Sequence, residues 1–252
     1  MKRLGIFLFN LTIKCHADQV FERAAGLTLR VLLAFFPFLV FLMSLMGFLD
    51  VDESAILSGL YSVLPGDVSE LVQRFVAELS ATRSAGLLSA ALFFSVYNTT
   101  NGFRAIIRCT NRAYDVREGR GLARQVGFSF LLMLLFSVSL IVMLGVLVFG
   151  GIASGAIALV ILVLVTTFMY KLACAKRLPF KHVLPGGVLT VLAWAVVGAT
   201  FGFITQNFTQ YPAIYGSIAG VFILILWLNA VSIIFLMGNE INALLHEFLT
   251  KE

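Results

Sequence analysis

"GLLSAALFFSVYNTTNGFRAIIRCTNRAYDVREGR", Gly86 to Arg120, runs from strongly apolar to strongly basic without a break. Its five arginines include Arg104, Arg108 and Arg112, spaced by four and therefore on one face of a helix. In a soluble chain such a stripe suggests nucleic acid. In a membrane chain it marks the cytoplasmic end of a span. Composition decides between them. Of 252 residues, 60% are hydrophobic and 12% charged, with a mean hydropathy of +0.99. Soluble domains carry about 25% charged residues. The chain reads as an all-α, polytopic membrane protein, and its net charge of +5 needs no nucleic-acid partner.

A spanning helix needs about 20 mostly apolar residues. Six stretches qualify: Thr28–Leu49, Gly86–Ile107, Val126–Phe149, Ile152–Ala173, Val183–Ile204 and Ile214–Gly238. The second is interrupted by "NTTNG", and "GGIAS" makes the third and fourth a helical hairpin. Residues 1–23 carry Leu4, Phe7, Leu8 and Leu11 at helical spacing, with no small-residue cleavage site after them. They read as an amphipathic helix at the membrane surface. Residues 50–85 read as two amphipathic external helices, one before Pro65 and one over "LPGDVSELVQRFVAEL", with Asp67 as N-cap and Glu70 completing a capping box. All of this belongs to one transmembrane domain spanning 1–252.

Orientation follows from charge. Lys2, Arg3, Lys14 and Arg23 precede the first span; Arg108, Arg112, Arg117, Arg120 and Arg124 follow the second; Lys176, Arg177 and Lys181 follow the fourth. The opposite side has Arg74 and Arg83 in its first loop and no Lys or Arg in the next two. Both termini are expected in the cytoplasm. Cys15, Cys109 and Cys174 then fall near the reducing side, and their spacing matches no metal site.

Polar residues within spans are functional candidates. Arg30 lies about one turn inside the first span, and Glu240 in "GNEIN" is expected at the same depth as its partner. Asn98, Thr99, Thr100 and Asn101 cannot all face lipid. They are expected to bond between helices or to line a wet pathway. The candidate substrate- or lipid-binding set is Arg30, Asn98, Asn101, Arg104, Arg108 and Glu240. Gly198-x-x-x-Gly202 and Gly216-x-x-x-Gly220 suggest close helix packing, within the chain or in a homo-oligomer. "VLPGG" places a helix N-terminus where it could meet an anion.

The segments "FFPFLVFLMSLMGFL", "NGFRAIIRCTNRAYDVREGR", "RLPFKHVLPGG" and "YGSIAGVFILILWLNAVSIIFLMGNEINA" together resemble the YihY/BrkB family of bacterial inner-membrane proteins. The resemblance runs from about Ala24 to Ala243. Leu29 and Arg30 stand where the family pattern tends to carry aromatics. The resemblance implies six spans and an inner-membrane location. It carries an old ribonuclease BN label and looser suggestions of transport or envelope lipid handling.

Metal-dependent RNA cleavage wants clustered carboxylates or histidines. Here the densest acidic group, from Asp50 to Glu78, is expected outside, and His16, His182 and His246 are far apart in sequence. The reading is therefore not an enzyme, with no cofactor, metal or nucleic acid. It is a transporter or lipid flippase for an anionic or lipid-linked substrate, partnered by anionic lipid; the alternative is a structural or scaffolding envelope protein.

Overall fold

Long apolar stretches with few glycines or prolines inside them should form continuous helices, and they do. The computed structural model describes residues 2–48, 53–64, 66–81, 85–119, 121–207 and 218–251. They form α1 (Lys2–Ala17), α2 (Val20–Phe48), α3 (Glu53–Val63), α4 (Gly66–Ala81), α5 (Ala85–Ala113), α6 (Leu122–Phe149), α7 (Ser154–Ala173), α8 (Phe180–Asn207) and α9 (Ile218–Lys251). Gly216 and the other residues of 208–217 lie outside the described residues, so the second small-residue motif does too.

Five of these helices, α2 and α6 to α9, are long and apolar enough to cross a membrane. The sixth expected span falls on α5. At 29 residues it has the length, but the "NTTN" stretch and its arginines leave it less apolar than the other five. It packs against α2 more extensively than any other helix pair does. Gly102 makes that approach possible: a Cβ there would lie 3.5 Å from the Ala34 Cβ and 4.0 Å from the Arg30 carbonyl. The hairpin between α6 and α7 turns at Gly151, whose φ of +65° suits glycine.

Three apolar clusters form; one joins Phe41, Phe103, Leu132 and Met169, and the other two lie toward opposite ends of the bundle. At one end Leu39, Leu42 and Met46 of α2 meet Ile56, Leu60, Val68, Val72 and Val76 of α3 and α4, with Leu144 and Leu224 closing the cluster. The amphipathic helices expected between the first two spans are thus packed in, apolar face inward. α4 opens at Gly66, one residue before the Asp67 expected as N-cap, so the backbone of Asp67 is already helical. Glu70 instead pairs with Arg74 on the exposed face at 3.3 Å.

At the other end α1 does more than lie on a surface. Leu11 and Cys15 belong to the core with Val20, Ala24, Tyr170, Phe235 and Leu244. The Phe7 and Phe248 rings sit 6.2 Å apart, tying α1 to α9. Leu8, Phe9 and Ile13 stay exposed on the outer face. A left-handed residue, Gln19 at φ 51°, turns the chain from α1 into α2.

The tightest packing joins α7, α8 and α9. Pro185 lies inside α8, which begins five residues earlier at Phe180. The Gly186 N–H donates to Asn242 Oδ1 at 2.7 Å. "VLPGG" is therefore not a free helix N-terminus for an anion: its amide is taken by another helix. A Cβ on Gly186 would collide with the Gly238 carbonyl, and one on Gly187 with the Thr167 hydroxyl. Gly198 and Gly202, expected to pack closely within the chain or in a homo-oligomer, have nothing among the described residues within 4 Å of where their Cβ atoms would be. Close approach comes from Gly186, Gly187 and Gly238.

Candidate functional site

Two polar groups are built on the basic ends of the helices. The first lies on α2 and α5. Asn98, Asn101, Arg104 and Arg108 follow one another at three- to four-residue steps along α5, so regular helix geometry brings them to neighbouring turns. Arg30 joins them from α2 because Gly102 lets the two backbones approach; its charge and that of Arg104 both act on Arg108. Arg104 is half-buried. It reaches Asn101 Oδ1 and Gln125 Oε1, each at 3.4 Å, and its Nε is buried without a hydrogen-bond partner. Arg30 and Arg108 are exposed. Among the described residues no carboxylate pairs with any of the three.

The polar break behaves in two ways. Asn98 donates back to the Phe94 carbonyl of its own helix at 2.9 Å. Thr99 and Thr100 are buried, and the Thr99 hydroxyl has no partner. Of the six candidate residues, then, Arg30, Arg104 and Arg108 come together with Asn101 beside them, while Asn98 turns to its own backbone.

Glu240 stands elsewhere, in the second group, and Arg30 is not its partner. The cation beside it is Lys14 of α1, with Nζ 3.6 Å from Glu240 Oε2. Lys14 also meets Asp18 at 3.4 Å and Asp115 at 4.0 Å. Arg112 completes the cluster by donating to Asp18 Oδ1 at 3.2 Å, so the third arginine of the stripe belongs here. Asp115 reaches Lys14 because α5 ends in a left-handed turn, with φ 52° at Asp115 itself. Glu118 accepts from Asn111 Nδ2 at 2.7 Å, and Asn111 Oδ1 accepts from the Ala175 amide. A groove of about 350 Å³ between α1 and α9, lined by Asn10, Ile13, Lys14, Leu244, Glu247 and Phe248, opens onto the cluster.

Glu240 is 4% exposed, and taking a carboxylate out of water this far is costly unless it is paired. Burial, reinforced by the charges of Glu240 and Asp18, raises the Cys15 thiol to about 11. On the same helix, Asn239 just before Glu240 and Asn242 and His246 after it are all buried. His246 Nδ1 lies 2.8 Å from His182 Nδ1 of α8. The Tyr114 ring stands 6.2 Å from the His246 ring, and burial pushes its phenol well above the usual range.

Sequence reasoning missed Lys14, Asp18, Tyr114, His182 and His246 as one neighbourhood. The 64 residues between the two histidines counted against their meeting. The one legible signal was "NEIN", two amides and a carboxylate closing an apolar run. Among the described residues no three His, Cys, Asp or Glu side chains could together hold a metal ion.

A family model described as virulence factor BrkB matches residues 13–252. The ribonuclease-like protein YfkH of Bacillus subtilis is 30% identical over 96% of this chain and 95% of its own length. A UPF0761 membrane protein of a Psychrobacter species is 29% identical over 98% of the chain, which spans 49% of that relative. Another, from Pseudoalteromonas atlantica, is 23% identical over the whole chain and 90% of the relative. No solved structure matches.

Proposed function

The chain belongs to the BrkB virulence factor family, and on that premise we propose that it is a transporter or lipid flippase for an anionic or lipid-linked substrate. In this reading it lies in the bacterial inner membrane with both termini cytoplasmic and catalyses no covalent chemistry. The observation that supports it is the group Arg30, Arg104 and Arg108. Three guanidinium groups share one neighbourhood with no carboxylate among the described residues, and one has a buried, unpartnered Nε.

Like charges held together at a membrane surface repel one another unless an anion joins them. Guanidinium groups suit phosphate because they donate in a planar fork. Each arginine near an anionic leaflet contributes about 1 kcal/mol. Thr99 and Asn101, on the turns before Arg104, extend a polar surface along the same helix. The ribonuclease-like name of the Bacillus subtilis relative is not carried over; among the described residues no group of three His, Cys, Asp or Glu side chains gathers beside these arginines.

The test compares purified Arg104→Gln and Arg108→Gln with Arg117→Gln, an exposed arginine beyond the helix end. Retained anionic lipid is measured by mass spectrometry, and movement of a labelled anionic lipid is measured in proteoliposomes. Loss of both in the first two proteins alone is the expected result. Equal lipid retention in all three leaves the arginines as topology signals and favours the structural reading. That second reading draws its support from the locked junction of α7, α8 and α9, which needs no substrate. Saturable RNA binding at physiological salt overturns both.

A further inference from the structure

We infer that Glu240, ion-paired to Lys14 and neighboured by Tyr114 and the His246–His182 pair, is a proton-binding site behind Lys14, which lines the groove between α1 and α9. The ligand is H⁺, taken up on the Glu240 carboxylate. Four observations carry this.

The first is unequal pairing. Lys14 is shared among Asp18, Asp115 and Glu240, at 3.4, 4.0 and 3.6 Å. Asp115 is exposed to water, and Asp18 has Arg112 as a second cation at 3.2 Å. Glu240 is the buried member whose one close cation is already shared. Its Oε2 is buried and makes no hydrogen bond. The charges of Asp18 and of Arg23 of α2 also act on it, and its own charge acts in turn on Cys15 of α1.

The second is a row of unmet polar atoms beside it. Asn239 Nδ2 and Oδ1, Asn242 Nδ2, His246 Nε2 and Tyr114 Oη are all buried without partners. Left dry, each carries the desolvation cost of an unmade hydrogen bond. Asn239 and Asn242 flank Glu240 on α9, and Tyr114, on which the Glu240 charge acts, stands 6.2 Å from the His246 ring; chains of carboxylates, histidines and polar groups of this kind relay protons in membrane proteins.

The third is the histidine pair itself. Two Nδ1 atoms at 2.8 Å require one ring to donate and the other to accept. One proton is held between them, and His246 Nε2 is left as a second buried position for exchange.

The fourth is access. Lys14 lines the groove of about 350 Å³ and its neighbour Asp115 is exposed, so the outer side of the cluster borders open solvent.

Uptake converts a carboxylate to a neutral carboxyl, with the proton coming from that water. Lys14 keeps Asp18 and Asp115, so neutralising Glu240 loosens the tie between α1 and α9 and leaves α1 joined to α5. The inference does not rest on the arginine group. The titration is read without transport, so either reading can fail alone.

The experiment is infrared difference spectroscopy of the purified full chain in nanodiscs, titrated from about pH 5 to pH 9, the range into which buried carboxyls move. A carboxylic C=O band should appear as pH falls and vanish in Glu240→Gln. Lys14→Met removes the cation, so the band should persist to higher pH, by about one unit or more. Asp18→Asn removes a neighbouring negative charge and frees Lys14 for Glu240, so the midpoint should move down. Glu240→Asp should keep a titrating band at a changed frequency. Opposite shifts in the Lys14 and Asp18 variants do not follow from loosened packing. If Glu240→Gln fails to fold, those two shifts still decide. A band that survives Glu240→Gln, or that moves in neither of the other variants, overturns the proposal.

Discussion

The Tyr170 hydroxyl donates to the Phe235 carbonyl at 2.8 Å and lies 2.8 Å from the Thr190 hydroxyl, joining α7, α8 and α9 through one fully buried side chain. A free backbone carbonyl inside a membrane protein is costly. The Phe235 carbonyl lies inside α9, where helix geometry already supplies an amide, and Tyr170 adds a second donor to it. The gain is therefore in orientation, because it fixes α9 against α8 where Gly238 and Gly186 touch.

Gly186→Ala is expected to be among the most damaging single-atom-scale changes in the chain. The added Cβ meets the Gly238 carbonyl and the Asn242 side chain, neither of which can swing aside without breaking the 2.7 Å bond from the Gly186 amide. Overpacking of this kind costs about 1–3 kcal/mol or more. Gly198→Ala has open space and should be near neutral. Thermal unfolding in detergent compares the two; equal midpoints contradict the junction.

Lys14 and Glu240 should be energetically coupled. Leaving one partner of a buried pair alone costs about 3–5 kcal/mol. Lys14→Met with Glu240→Gln should be milder than the sum of the single changes. Arg30→Met with Glu240→Gln should be additive, since Arg30 sits with Arg104 and Arg108. A double-mutant cycle on unfolding free energy separates these outcomes, and additivity in the first pair rejects the contact.

Cys15 should be a slow thiol. Its value is raised from 9 to about 11, so less thiolate is present at any pH below that. A shift of two units lowers the thiolate fraction at neutral pH about 100-fold. In a variant keeping only this cysteine, the alkylation rate should climb with pH up to about 11, where an ordinary thiol would level off near 9. A plateau near 9 would show that α1 is not docked as described.

Opposite faces of the membrane should carry Glu70 and Arg117. Both side chains are exposed, one on α4 and the other past the end of α5. With single cysteines at these positions, an impermeant reagent in intact cells should label Glu70→Cys alone. Labelling of Arg117→Cys alone reverses the orientation.

The class of protein was legible in composition and in the apolar runs, because a bilayer demands about 20 apolar residues whatever surrounds them. The amphipathic pattern over Val68, Val72 and Val76 identified the buried face of α4, since helical periodicity is a local property. The arginine stripe was legible for the same reason, four residues being one turn. The sixth expected span, on α5, was harder to place, because the polar residues of α5 pack against α2 and α6.

Partnership between distant segments was not legible. Arg30 and Lys14 are both cations near the start of the chain, and charge alone cannot say which meets Glu240. The turn at Gln19 folds α1 back onto α9 and settles it for Lys14. His182 and His246 meet because Gly186 and Gly238 let α8 and α9 touch, and Gly198 and Gly202, with the better-known motif, do not take part. Local sequence determined which stretches are helices and which faces are apolar. Tertiary packing alone decided which buried polar groups share a neighbourhood, since that depends on how closely backbones approach and on the handedness of turns between them.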